Sequence, residues 1–262
     1  MTKRSRLDAE LVRRGLVDSR STARRAIEEG KVTVSGMPAT KVDALVDATT
    51  PLALRGPPAR FVSRGGDKLA GALECFDVDP AGKLWLDAGA STGGFTDCLL
   101  QAGARRVIAV DVGYGQLAWS LRNDERVVTL ERTNARHLSP DDLPFAPEGV
   151  VADLSFISLA LVLPALVAVA SPKADYVLLV KPQFEAGKEA VGKGGVVRDP
   201  AVWHRALDDV VEASKELGLG LVAAVPSPLK GPAGNVEFFL HLRAGAEGRD
   251  EMIDAAVAEV AS

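Results

Sequence analysis

Cysteine is nearly absent: the 262 residues hold two, Cys75 and Cys98. One such pair, without ligand-type spacing, builds neither a disulfide framework nor a cysteine-ligated metal centre. Both cysteines sit in apolar helical contexts, Leu73-Glu74-Cys75-Phe76 and Asp97-Cys98-Leu99-Leu100, and are expected to be buried thiols. Histidine is almost as sparse. His137, His204 and His241 are scattered along the chain, which predicts surface or packing roles and no metal site. No apolar run is long enough to span a bilayer. The longest, Phe156 to Ala170, falls short of the ~20 residues required, and Pro164 interrupts it. The first residues are polar and basic, without the apolar stretch of a secretory signal. The expected location is the cytoplasm, with no membrane and no obligate protein partner.

The bulk composition, 47% hydrophobic and 25% charged, is that of a globular protein. The length accommodates one α/β domain and a small appendage. Charge divides them. The net charge of −4 conceals a stretch, residues 1–64, with 13 Lys and Arg against 7 Asp and Glu, and a remainder with 18 against 28. A basic module joined to an acidic one points to a polyanion as partner of the first part. Within it, Leu7, Leu11 and Val12 recur at helical spacing before Gly15. A second helix starts at the cap Ser19, turns Ala23, Ala26 and Ile27 inward and ends near Gly30. Strands follow at 31–34 and 52–54. Arg4, Arg6, Arg20, Arg24 and Lys41 are candidate phosphate contacts, with a solvated face as the alternative for each.

Gly56-Pro57-Pro58 reads as a linker, because proline stops both helix and strand. Beyond it a helix is expected at 67–76, then strands at 84–88, 106–111, 126–131, 149–153, 176–181, 220–225 and 236–242. Helical segments fall near 94–102, 115–121, 157–170 and 200–217. The alternation predicts an α/β fold with a mostly parallel, seven-stranded sheet and helices on both faces, preceded by a small α+β domain. The Gly187–Gly195 stretch, with Lys188 and Lys193, reads as a loop.

The strand Leu84–Ala88 runs into the turn Gly89-Ala90-Ser91-Thr92-Gly93-Gly94-Phe95, and the next strand ends on Asp111. In open α/β sheets, ligands bind beyond the carboxyl ends of the strands. Glycine lets a ligand approach the backbone there, and an acidic residue ending the second strand can accept hydrogen bonds from ribose hydroxyls. The dinucleotide fingerprint G-x-G-x-x-G lacks its middle glycine here, since Ser91 stands in that place. This argues against a pyrophosphate-bearing nicotinamide cofactor. S-adenosylmethionine, a nucleoside without phosphates, suits the turn.

Three further strands carry charges at their ends: Asp153 after Val150-Val151-Ala152, Lys181 after Val177–Val180, and Glu237 at the start of the last strand. If that strand is antiparallel to the rest, all three converge at the rim that holds the glycine turn, with Lys68 on the preceding helix. Two ammonium groups and two carboxylates beside a methyl donor make chemical sense. A ribose 2′-hydroxyl needs a base, and lysine serves once a neighbouring cation and burial favour its neutral form. Lys181 is then the base, Lys68 the neighbouring cation, Asp153 the orienting group and Glu237 the brace. Salt bridges at a sheet rim are the bland alternative.

These residues resemble the TlyA family of ribosomal RNA 2′-O-methyltransferases, once called hemolysins. The matching segments include Arg6–Val12, Ser63–Leu69, Leu86–Thr96, Asp111–Leu117, Glu131–Arg136, Ala152–Ser158, Lys181–Glu185 and Gly234–Glu237. The resemblance implies an alpha-L RNA-binding domain at 1–59, a linker at 60–66 and a Rossmann-like, FtsJ-type methyltransferase domain at 67–262. It puts a catalytic tetrad on Lys68, Asp153, Lys181 and Glu237. It places S-adenosylmethionine against Gly89, Ser91, Thr92, Gly93, Gly94 and Phe95, with Asp111, Val112 and Asp153 beside it and Asn134 near the adenine. Arg64 joins the expected RNA contacts. The implied partner is ribosomal RNA or a ribosomal subunit, and the implied substrate a cytidine 2′-hydroxyl of 16S RNA, 23S RNA or both. A pore-forming hemolysin and a non-catalytic RNA-binding protein are the competing readings.

Overall fold

The computed structural model describes residues 4–17, 19–55, 59–187, 190–192, 194–249 and 251–261. Gly56-Pro57-Pro58 and the loop lysines Lys188 and Lys193 lie outside them. The chain divides into two compact units, residues 1–59 and 60–262.

The first unit contains β1 (Ser5–Arg6), α1 (Leu7–Arg13), α2 (Arg20–Glu28), β2 (Val32–Val34), β3 (Met37–Pro38), β4 (Leu45–Val46) and β5 (Leu52–Leu54). Ser19 caps α2, its hydroxyl accepting from the Thr22 amide. Leu7, Leu11, Ala23, Ile27 and Val32 form a small core. β1 pairs with β4, and β3-β2-β5 form a second sheet. The two-residue strands β1, β3 and β4 were not expected, because two residues display no alternation.

The second unit opens with α3 (Arg64–Phe76). The helix starts three residues before the expected 67, so part of the expected 60–66 linker is helical. The Ser63 hydroxyl accepts from the Gly65 amide and caps it. A Cβ on Gly66 would lie 2.3 Å from the Phe61 ring, and one on Gly94 would lie 2.2 Å from Ser63 Oγ. These glycines therefore serve close packing at the helix start. There follow β6 (Leu84–Ala88), α4 (Gly94–Gln101), β7 (Arg106–Asp111), α5 (Trp119–Arg122), β8 (Val127–Glu131), β9 (Gly149–Ala152), α6 (Leu163–Val169), β10 (Asp175–Val180), α7 (Pro182–Glu185), α8 (Pro200–Glu216), β11 (Leu219–Pro226), β12 (Phe238–Ala244) and α9 (Glu251–Ala261).

The sheet order is β11-β12-β10-β9-β6-β7-β8, and β12 alone runs against the others. Its central strands are buried throughout, which is why they read as continuous apolar runs. The apolar run at 157–170 divides into a short 3₁₀ turn and α6, because Pro164 suits a first helical turn and not a helix interior. α9 went unpredicted, although Ile253, Ala256 and Val257 form its buried face. His204, on α8, joins it to Asp254 on α9 at 2.7 Å and to Asp208 at 2.7 Å. Those carboxylates, Asp254 foremost, raise the imidazole pKa. His241 is buried, its Nε2 2.9 Å from Asp175 Oδ1. Cys98 is buried, and burial lifts its thiol pKa to about 12. Cys75, contrary to expectation, is exposed, because it falls on the outer face of α3.

Candidate active site

Five neighbouring parallel strands end at one rim, where β6 passes into the glycine turn. The Gly89 and Ala90 amides both donate to the Val110 carbonyl, at 2.8 and 3.0 Å, which folds the turn back onto β7. Gly89 has φ +87°, and a Cβ there would lie 2.6 Å from the Asp153 carbonyl oxygen. Only glycine permits both. Ser91 also has positive φ, +49°. Its amide donates to Asp111 Oδ2 at 2.8 Å, while the Gly113 amide donates to Oδ1 at 2.7 Å. Asp111 thus shapes the loops on both sides of it and keeps lone pairs for a ligand.

A cavity of about 350 Å³ opens beyond this turn. Of the expected donor contacts, Gly89, Ser91, Asp111, Val112, Asn134 and Asp153 line it. Thr92, Gly93, Gly94 and Phe95 are not among the lining residues. Gly93 packs on Leu121 and Leu117, Gly94 on Ser63, and Phe95 is buried with its ring 6.0 Å from Phe239. The remaining wall comes largely from Leu154, Ser155, Phe156 and Ile157, together with Gln116 and Thr133. Sequence reasoning missed these. The signal was the run Leu154-Ser155-Phe156-Ile157 directly after a buried strand that ends on Asp153.

No Lys, Arg or His is among the described residues that line the cavity, whereas Asp111 and Asp153 are. Apolar walls between carboxylates fit a phosphate-free nucleoside bearing positive charge, as S-adenosylmethionine does. Asn134 Oδ1 accepts from the Arg136 amide at 3.0 Å, so its NH₂ remains to donate to a ring nitrogen.

Just before the turn, on β6, lies a further missed residue. Asp87 is fully buried, and its Oδ2 accepts from the Thr96 amide at 2.9 Å and the Thr96 hydroxyl at 2.6 Å. Its Oδ1 is buried without a partner. Burial, reinforced by the charges of Asp153 and Asp111, outweighs the Thr96 bonds and raises the carboxyl pKa to about 7.

The four charged residues form two pairs at the rim. Lys68 Nζ donates to Glu237 Oε2 at 2.5 Å, with both side chains buried. Lys181 Nζ lies 2.5 Å from Asp153 Oδ1, an ion pair outside hydrogen-bond alignment, and donates to Ser155 Oγ at 3.0 Å. The pairs are neighbours through the sheet: Val180 faces Phe238 across β10 and β12, so Lys181 and Glu237 occupy the next register position. Asp153 belongs both to the cavity wall and to the Lys181 pair. Beside them Phe156, at φ +65° and 90% exposed, places its ring 5.0 Å from Phe184.

In the first unit, Arg6, Arg20 and Arg24 border a cavity of about 590 Å³ with Asp8, Ser21 and Asp43. Asp8 pairs with Arg6 at 3.1 Å and Arg20 at 2.7 Å. Burial opposes its ionisation, but the two guanidiniums prevail and hold the carboxyl below its usual pKa. Arg24 pairs with Glu28, while Arg4 and Lys41 are exposed. Arg13 and Arg14 instead hold the buried Glu10, and Arg14 also donates to the Thr50 and Asp47 carbonyls. Arg64, in the second unit, donates to the Lys230 carbonyl at 3.0 Å.

Among the described residues no helix is long and apolar enough to cross a membrane, and no His, Cys, Asp and Glu cluster could hold a metal. The family model for the FtsJ-like methyltransferase matches residues 61–244, and that for the S4 domain matches residues 5–50. The chain is 55% identical over 266 residues to the 16S/23S rRNA (cytidine-2′-O)-methyltransferase TlyA of Mycobacterium tuberculosis, with 99% of each chain covered. It is 38% identical to Hemolysin A of Brachyspira hyodysenteriae, covering 90% of this chain and 98% of that one. A solved structure from Streptococcus thermophilus, described as a hemolysin, superposes with a TM-score of 0.79 at 38% identity, covering 99% of this chain and 96% of that one.

Proposed function

The chain belongs to the TlyA rRNA methyltransferases of the FtsJ-like methyltransferase family, and on that premise we propose that it uses S-adenosylmethionine to methylate the 2′-hydroxyl of a cytidine in ribosomal RNA, with Lys181 as general base. The observation that carries this reading is the double placement of Asp153. It lines the cavity and lies 2.5 Å from Lys181 Nζ, so the base is one side chain away from the donor.

When bound, S-adenosylmethionine supplies an electrophilic methyl group on a sulfonium. Gly89, Ser91 and Asp111 hold its nucleoside, and Asn134 reads the adenine. Once its own proton has passed to solvent, the amine of Lys181 would take the proton of the 2′-hydroxyl and free that oxygen for the methyl group that the donor would supply. Asp153 and Ser155 aim Nζ, and the Lys68–Glu237 pair braces the rim beside it. Holding oxygen, methyl carbon and sulfur in line would supply much of the rate. The base contributes about 10²–10⁴-fold. Arg4, Arg6, Arg20, Arg24 and Lys41 of the first unit, with Arg64, contact RNA phosphates in this reading.

The test is incubation with purified ribosomal subunits and labelled methyl donor, followed by alkaline hydrolysis and mapping. The expected product is an alkali-resistant ribose at a cytidine of 16S or 23S RNA. Label on a base, or leakage of liposomes without any labelled RNA, would overturn the proposal and favour another chemistry or the pore-forming reading.

A further inference from the structure

No step of the transfer uses Glu185, yet its carboxylate is half-buried and hydrogen-bonded. Its Oε1 accepts from the Leu159 amide at 3.0 Å. That donor belongs to the segment that leaves β9, whereas Glu185 ends α7, directly after β10. β9 and β10 are adjacent parallel strands, so their following segments emerge side by side at the active rim. Three more contacts join them: Lys181 with Asp153, Lys181 with Ser155, and Phe156 with Phe184.

The middle of this strap is strained. Phe156 sits at φ +65°, a region that residues with a Cβ occupy only where the surroundings enforce it. The Asp153 end is fixed to Lys181 itself. At the Ser158–Leu159 end, Glu185 supplies the bond across to the neighbouring strand's segment. Were that bond lost, Phe156 would relax toward negative φ and carry Ser155 away from Lys181 Nζ. We propose that Glu185 is a positioning residue for methyl transfer, the anchor that holds the Ser155–Phe156 turn closed over Lys181. The inference rests on Lys181 being the base, and it extends that reading to the strap that aims it.

Two readouts on the full-length chain test it. In hydrogen exchange, Glu185→Ala should speed exchange of peptides spanning 153–160 by about tenfold, the loss of one charge-assisted hydrogen bond. Glu185→Gln, whose amide oxygen still accepts from Leu159, should stay near wild type, and the β9 and β10 peptides should not change. In single-turnover transfer to ribosomal subunits, Glu185→Ala should lower the maximal rate about 10- to 100-fold at unchanged RNA KM, with Glu185→Gln restoring it. Unchanged strap exchange in Glu185→Ala, loosening of the whole sheet, or a Glu185→Gln variant as slow as Glu185→Ala would each overturn the proposal. Wild-type protein that transfers no methyl group would overturn the base assignment and not the anchor, which the exchange arm decides alone.

Discussion

Replacing Asp87 with asparagine should stabilise the protein at neutral pH and leave it nearly unchanged in acid. Asn is the neutral isostere of a protonated aspartate and can keep both Thr96 bonds through its carbonyl oxygen. The wild-type carboxyl has its pKa lifted from 3.8 to about 7, chiefly by burial. Between those values the unfolded chain releases the proton and the folded chain retains it. Native stability therefore falls as pH rises from the lower value and levels off above the upper one. At ~1.36 kcal/mol per unit, the full penalty is on the order of 4 kcal/mol. On the order of 3 kcal/mol of it develops between about pH 5 and pH 8. Urea unfolding followed by tryptophan fluorescence reads the relevant unit, since Trp85, Trp119 and Trp203 all lie in it. The difference in unfolding free energy between variant and wild type should grow in the variant's favour across that range and then stay constant. A difference independent of pH would show that Asp87 does not retain its proton, and the account of the buried carboxyl would fail.

Gly89→Ala should weaken S-adenosylhomocysteine binding at least about tenfold in calorimetry, because its Cβ would lie 2.6 Å from the Asp153 carbonyl at φ +87°. Lys68→Met should destabilise the protein by about 3–5 kcal/mol, by leaving Glu237 buried and unpaired. Lys68→Met with Glu237→Leu should recover most of that loss in the same unfolding assay. Lys41→Ala should reduce the slope of log affinity for duplex RNA against log salt by about 0.9, if Lys41 contacts a phosphate. An unchanged slope removes it from the interface.

The sheet was legible because each strand is either a short apolar run or ends on a charge that a buried strand does not otherwise carry. β12 shows how far this goes: its reversal against β10 is what brings Glu237 to the rim reached by Lys181. Carboxylates at strand ends could be read in this way, but Asp87 could not. Within Leu84–Ala88 it looks like one polar residue of a strand, and only the fold reveals that, among the described residues, its hydrogen bonds come from Thr96. Part of the cavity wall escaped sequence reasoning for a related reason. The glycines at 93 and 94 mark close packing of helices, while the wall comes from 154–157, where apolar side chains resemble core. α9 was missed because a weakly apolar, alanine-rich segment has little contrast between its faces. The short strands of the first unit exist only through pairing with segments distant in sequence.

The most direct test of the central claim is single-turnover methyl transfer by Lys181→Ala, with donor and ribosomal subunits both saturating. The rate should fall at least about 100-fold below wild type, with donor and RNA affinity retained. A rate within about threefold of wild type would contradict it, since a general base cannot be lost at so little cost to the chemical step.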